Sequence, residues 1–365
     1  MDPKLQTMLA ALSPVARELD ALPSGRPIPD NTSVKLDRNE NPFPLPAIVM
    51  RSAIAALEVQ YRYPEDDNIS LRQAAAAAYG IATDRVMAGN GSSELLSLIY
   101  RAFLAPGDGI AMMSPGFSFN RKLAMLQGAR FIEIPWSEPD CLPMDELLFG
   151  PAKHAKFILL ANPNNPTGTF VPLAEIERLV IRSDRLIVLD EAYVDFAPED
   201  GLRLVERHSN LLVLRTFSKS YSAAGIRVGF GFGHPELIGR LRNIQNVFNM
   251  NVVAHAVGMS VLAHRDAYEE NHRHVRLERQ RVAAALSEFG FSVTPSHANF
   301  LLARVPVGQG GRWWQAALQD QSVLVAFFPD AGLQECIRVS IGTKRQMDAF
   351  LAAVGSILKK VGCRG

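Results

Sequence analysis

The sequence predicts an α/β domain whose mostly parallel sheet is covered by helices, followed by a smaller α+β domain. Three observations carry that prediction. The 365 residues exceed what one core usually holds. From about residue 47, short apolar runs of β character alternate with helical stretches, as strands joined by crossover helices do. After about residue 235 the alternation stops, and a long helical stretch leads into further strands and a closing helix. The expected division is 1–46 as N-terminal helix and extended arm, 47–240 as the large domain and 241–365 as the small one.

The opening MDPKLQTMLAALSPVAREL has charges flanking a short apolar patch and no signal-peptide h-region, so it reads as a helix. Residues 23–46, rich in Pro, Asn and Asp, predict an extended or turning segment with little regular structure. The first domain's strand runs are RVMAG (85–89), GIAMMS (109–114), RFIEIPW (130–136), KFILLA (156–161), LIVLD (186–190), LLVLRT (211–216) and VGFGFG (228–233). SELLSLIYRAFL and LAEIERLVIRSD are helices between them, and AAAAA at 74–78 is a helix interior. Residues 235–290 read as helical, with HRHVRLERQR (272–281) as a solvated face. Strands FSVTP, NFLLARV, VLVAFF and IRVSIG follow, then the helix RQMDAFLAAVGSILKK.

Composition narrows the function. With 38 Lys and Arg against 37 Asp and Glu, the net charge is +1, which argues against a polyanion surface and against nucleic acid as a partner. Cys141, Cys336 and Cys363 form no close pair and no metal-ligand spacing, which suits a reducing compartment. No apolar run is long enough to span a membrane, so the expected location is the cytoplasm.

In an open α/β sheet, ligands gather beyond the carboxyl ends of the strands. After RVMAG comes NGSSELL, where Gly89 and Gly91 permit a tight backbone and Ser92 or Ser93 caps a helix; its N-terminus suits a phosphate, although any capped helix has the same pattern. Phe117 follows GIAMMS, as a core aromatic or a ligand contact. NPNNPTG (162–168) is a turn in which Asn165 can present an amide. Asp190 ends an apolar strand and needs a cation, from a salt bridge or a protonated ring nitrogen, unless it caps a helix; Tyr193 lies near enough to share its ligand. Ser218 and Lys219 end LLVLRTFSK, and Arg227 follows eight residues after the lysine. Such a lysine can form a Schiff base, and such an arginine can grip a phosphate bidentately. A phosphate cup, an acid, a phenol, an amide and an amine are together what pyridoxal 5′-phosphate (PLP) uses.

The chain resembles fold-type I PLP-dependent aminotransferases, with an aspartate aminotransferase-like large domain, and most closely the histidinol-phosphate aminotransferase family. The likeness runs in order through LDRNENP, RYPEDD, AGNGSSELL, NPNNPTG, VLDEAYVDFA, TFSKSYSAAGIRVGF, SHANFLLARV and CIRVSIGT. It implies that Lys219 carries PLP and acts as the base, and that Asp190 pairs with the pyridinium nitrogen. Tyr193 and Asn165 would bond the ring's phenolic oxygen, Phe117 would stack on the ring, and Ser92, Ser93, Ser218 and Arg227 would hold the phosphate. Tyr63 would reach the neighbouring subunit's phosphate, implying a homodimer with shared sites. Arg338 would clamp the substrate's carboxylate, with Asn41, Phe248 and Ala326 also on the substrate side. The substrates implied are an amino donor, amino acid or histidinol phosphate, and a 2-oxo acid such as 2-oxoglutarate.

Two positions depart from the family. Ala326 stands where a basic residue is expected, and ALPSGRPI lacks the expected tyrosine. Either the donor carries no phosphate, or Arg26, Arg38 or Lys35 replaces the missing contact. An amino-acid decarboxylase or oxidase on the same scaffold is the alternative chemistry. A hydrolase is disfavoured because there is no G-x-S-x-G elbow, and a regulator because no helix-turn-helix pattern occurs.

Overall fold

The computed structural model describes residues 2–18, 33–136 and 140–362. Twelve strands form two sheets among them: β1 Val34–Leu36, β2 Val86–Asn90, β3 Gly109–Ser114, β4 Arg130–Pro135, β5 Ala155–Ala161, β6 Leu186–Asp190, β7 Leu211–Thr216, β8 Val228–Phe232, β9 Ser292–Val293, β10 Phe300–Arg304, β11 Val323–Phe327 and β12 Cys336–Ser340.

The larger sheet has the order β2-β8-β7-β6-β5-β3-β4. It is parallel except at β8, which runs antiparallel to both neighbours. Its central strands are apolar throughout because both faces are covered, and alternate residues serve opposite cores. Phe157, Leu159, Leu186, Val188, Leu212 and Leu214 pack with the helices Ser92–Phe103 and Pro235–Asn243. Ile158, Leu160, Ile187, Leu189, Leu211 and Val213 pack on the other face with Ile69–Tyr79, Leu173–Arg182 and Val252–Ala263.

The smaller sheet, β1-β11-β12-β10-β9, is antiparallel except for the pairing of β1 with β11. Its core includes Leu36, Phe300, Val325, Val339 and Phe350. The arm is thus more ordered than its composition predicts: Val34–Leu36 adds an edge strand to the C-terminal sheet. Residues 19–32, with Arg26 and the ALPSGRPI stretch, lie outside the described residues.

The N-terminal helix is two helices, Pro3–Ala10 and Pro14–Glu18. Pro14 has no N–H to continue the first and disfavours a helical residue before it. The stretch 235–290 is likewise divided, with Asn251 capping Val252–Ala263 by accepting from Ala254 N. The 272–281 face is only partly solvated: His272, Glu278 and Arg279 are buried, and Arg279 Nη1 donates to Ala298 O at 2.7 Å. Since Val252–Ala263 packs into the large core, we propose that the domains change over near Glu269 and not at residue 240. Cys141 and Cys336 are free thiols, and Cys363 lies outside the described residues. Among the described residues, no helix is long and apolar enough to cross a membrane.

Candidate active site

The parallel strands β5, β6 and β7 deliver their carboxyl ends to one cavity of about 340 Å³. One end of it is built for an anion. The chain leaves β2 through Gly91, whose φ of 77° is a left-handed value that glycine adopts without strain. Gly91, rather than a serine, is the N-cap; Ser92 and Ser93 occupy the first helical positions and line the cavity. The reason is space, because a Cβ on residue 91 would collide with Arg227 Nη2. Arg227 Nη1 donates to Ser218 Oγ (3.1 Å) and Ala224 O (3.1 Å), and Thr216 Oγ1 donates to the same Ser218 Oγ (2.9 Å). Free helix N–H groups, hydroxyls and a guanidinium therefore converge. Glu94 faces away from them, its Oε2 accepting from Asn90 N (2.5 Å) and Asn249 Nδ2 (2.8 Å).

The cavity floor carries Asp190 at the end of β6. Burial pushes its pKa up to about 6, although the bond from Ala192 N (3.1 Å) and the nearby Lys219 both oppose the rise. Among the described residues, Lys219 is the cation that acts on this carboxylate, and it forms no salt bridge with it. Tyr193, also buried, accepts from Asn39 Nδ2 at 3.0 Å, and burial raises its pKa too. Lys219 Nζ donates to Arg38 O at 3.0 Å and lies 5.9 Å from the centre of the Tyr193 ring. Desolvation lowers its pKa to about 8, helped by the positive charge of Arg338 and, less, of Arg227. Of the two arginines, Arg338 is the stronger influence.

Arg338 stands in the middle of β12 and is buried. Its Nη1 donates to Asn165 Oδ1 (2.7 Å) and its Nη2 to Asp37 O (2.9 Å), and its Cζ lies 5.4 Å from the centre of the Phe300 ring and 5.2 Å from that of Phe328. Nε is buried with no hydrogen-bond partner among the described residues, so the guanidinium is aimed yet incompletely satisfied. Of the NPNNPTG asparagines, Asn165 alone lines the cavity. Asn162 exchanges bonds with Val171, and Asn164 holds Pro115 O and Thr167 Oγ1, so both are braces.

Phe117 lines the cavity, as expected of a ring contact. Asn41 does not: its Nδ2 donates to Lys219 O (3.1 Å) and Ser220 O (3.0 Å), bracing the lysine's backbone. Tyr63 and Phe248 stack on each other at 4.5 Å, away from the cavity walls, and Tyr63 is 81% exposed. Ala326 is buried opposite Arg338 in the β11–β12 register and is not in the cavity wall. Of the two phenylalanines after it, Phe328 reaches Arg338, whereas Phe327 lies under Arg312. Asn39 was missed within LDRNENP; its φ of 54° is a value Asn tolerates. Thr216, which braces Ser218, was missed as well.

The residues fit PLP. The anion cup would take a phosphate, Asp190 would meet a protonated ring nitrogen, Tyr193 would face a phenolic oxygen, and Lys219, an amine of lowered pKa, would meet the aldehyde. Similarity to known proteins agrees. The family model described as Aminotransferase class I and II matches residues 31–354. The chain is 74% identical over 356 residues to histidinol-phosphate aminotransferase 3 of Mesorhizobium japonicum, covering 98% of this chain and 96% of the relative. It is 72% identical, with the same coverage, to histidinol-phosphate aminotransferase of Sinorhizobium fredii. The crystal structure of histidinol-phosphate aminotransferase from Sinorhizobium meliloti in complex with pyridoxal-5′-phosphate matches with a TM-score of 0.88 at 25% identity, over 96% of this chain and 98% of that one. The chain therefore belongs to the class I and II aminotransferase family and is a PLP-dependent enzyme that moves an amino group between small molecules.

Proposed function

We propose that the amino donor is histidinol phosphate, that the acceptor is a 2-oxo acid such as 2-oxoglutarate, and that the enzyme works as a cytoplasmic homodimer. The observation that carries the donor is the 74% identity, over nearly the full chain, to a relative named for that activity. When bound, PLP supplies an electron sink that stabilises negative charge at the carbon bearing the substrate's amine.

The chain's residues do the rest. The helix N-terminus at Gly91, with Ser92, Ser93, Ser218 and Arg227, holds the cofactor phosphate. Asp190 offers its charge to the ring nitrogen, whose positive charge offsets the burial that otherwise favours the protonated acid. Tyr193 holds the phenolic oxygen, with Asn39 behind it. Lys219, with its lowered pKa, would take the proton from the substrate's amine-bearing carbon and pass it to the cofactor carbon that carries the aldehyde. Arg338 receives the substrate's anionic group, held in position by Asn165 and the Asp37 carbonyl. Tyr63, so exposed in the single chain, serves the site of a second copy, and Phe248 stacks with it there.

Ala326 favours a second reading, a donor without phosphate such as an aromatic amino acid, since no cation faces Arg338 across the strand pair. The ratio of kcat/KM for histidinol phosphate to that for phenylalanine decides between them. The first reading requires histidinol phosphate to win; a wild-type preference for phenylalanine overturns it.

A further inference from the structure

Two guanidiniums line the cavity away from the phosphate cup, and they differ in state. Arg338 is fixed by Asn165 and the Asp37 carbonyl. Arg38 has a side chain 48% exposed, and its Nε lies 3.8 Å from Asp37 Oδ2, too far for a hydrogen bond. The backbone beneath it is held at two points. Arg38 O accepts from Lys219 Nζ, and the preceding carbonyl, of Asp37, accepts from Arg338. Residue 38 thus stands between the reacting amine and the fixed guanidinium. A group on the carbon next to the amine-bearing carbon belongs in that interval. In histidinol phosphate that group carries a phosphate monoester, close to two negative charges at neutral pH. One guanidinium neutralises half of it. Ala326 supplies no second cation, and Lys35 is engaged by Glu40 at 2.9 and 2.8 Å.

We propose that Arg38 selects the donor: it closes on the substrate's phosphate beside Arg338, supplying the charge that Ala326 does not. The assignment rests on histidinol phosphate being the donor. A carboxylate, with its single charge, is met by Arg338 alone.

The test uses holoenzyme: wild type, Arg38→Ala, Arg38→Lys and the double variant Arg38→Ala with Ala326→Arg. The readouts are kcat/KM for histidinol phosphate, for histidinol (the same donor without phosphate) and for phenylalanine, together with the rise in Tm that histidinol phosphate causes without acceptor. Arg38→Ala is expected to lower kcat/KM for histidinol phosphate roughly 10- to 150-fold, the range for one hydrogen-bonded charge, mainly through KM. The other donors should stay within about twofold, and the ligand-induced rise in Tm should shrink. Arg38→Lys should fall between, because an ammonium keeps the charge without the fork, and the double variant should recover part of the loss. An equal fall for all three donors overturns the assignment, because it marks a structural role for the arm. An unchanged value for histidinol phosphate overturns it as well. Wild type that uses phenylalanine and not histidinol phosphate overturns the donor reading itself, whereas failure of the Arg38 variants alone leaves that reading standing.

Discussion

Lys219 and Asp190 hold opposite charges in one desolvated site, and each is displaced from its ordinary titration by burial. With a pKa of about 8, roughly a tenth of the Lys219 amine is neutral at pH 7, against about three in ten thousand for an ordinary lysine. The neutral amine is the nucleophile for an aldehyde. The rate at which PLP reloads the cofactor-free protein should therefore rise with pH and level off above about 8; stopped-flow absorbance across pH 6–10 checks this. Lys219→Ala should lose covalent attachment and at least roughly 10³-fold in turnover. Asp190 works against the fold: its pKa is raised, so its stability contribution is full below its unfolded value near 3.8 and is lost as pH rises through about 6. Asp190→Asn keeps an acceptor for Ala192 N and removes the buried charge. It should stabilise the cofactor-free protein at pH 7.5 by about 1–3 kcal/mol while slowing proton abstraction strongly. Urea unfolding and single-turnover rates measure the two effects, and a variant that is both less stable and fully active would contradict them.

At the scale of elements, the anion cup depends on where the helix Ser92–Phe103 starts. Gly91→Ala places a Cβ against Arg227 Nη2 at a left-handed φ, so it should displace the guanidinium and weaken PLP binding about tenfold or more, at roughly 1–3 kcal/mol of strain. Fluorescence titration with PLP reads this directly. The same region shows what a sequence discloses. The strand ends were legible because apolar runs stop abruptly at chemically distinctive residues: Asp190 ends β6 and Lys219 follows β7, and both line the cavity. Asn39 and Asn41 were not separable. They sit two residues apart in an irregular arm, and a left-handed backbone angle decides which amide reaches Tyr193 and which braces Lys219. Arg38 was one of three candidates for a compensating cation. The pairing of Lys35 with Glu40 and the cavity position of Arg38 separate those two, while Arg26 lies outside the described residues.

For the whole molecule, the alternation of apolar runs and helices disclosed the larger sheet and the later strand runs the smaller one, whereas sequence order carries no record that the helix Val252–Ala263 packs in the larger sheet's core. Near Tyr63 in the chain, Ile54, Leu57 and Tyr61 are all more than half exposed, as is Val247 beside its stacking partner Phe248. Such apolar exposure is costly on a monomer and fits a two-fold interface. Mixing Lys219→Ala chains with Tyr63→Ala chains tests whether Tyr63 acts across it. If it does, hybrid dimers contain one intact site, and a random mixture regains up to about a quarter of wild-type activity. No gain over the parents, or an active monomer in sedimentation, would contradict the shared site.

The most direct measurement of the central claim is a half-reaction. The PLP-loaded enzyme is mixed with histidinol phosphate in the absence of any 2-oxo acid, and the cofactor's absorbance is followed in a stopped flow. The account predicts full conversion to the pyridoxamine form with one equivalent of ketone released per site, no carbon dioxide and no oxygen consumed, and reversal on adding 2-oxoglutarate. Persistence of the starting spectrum with histidinol phosphate, alongside conversion by an unphosphorylated amino acid, would contradict it.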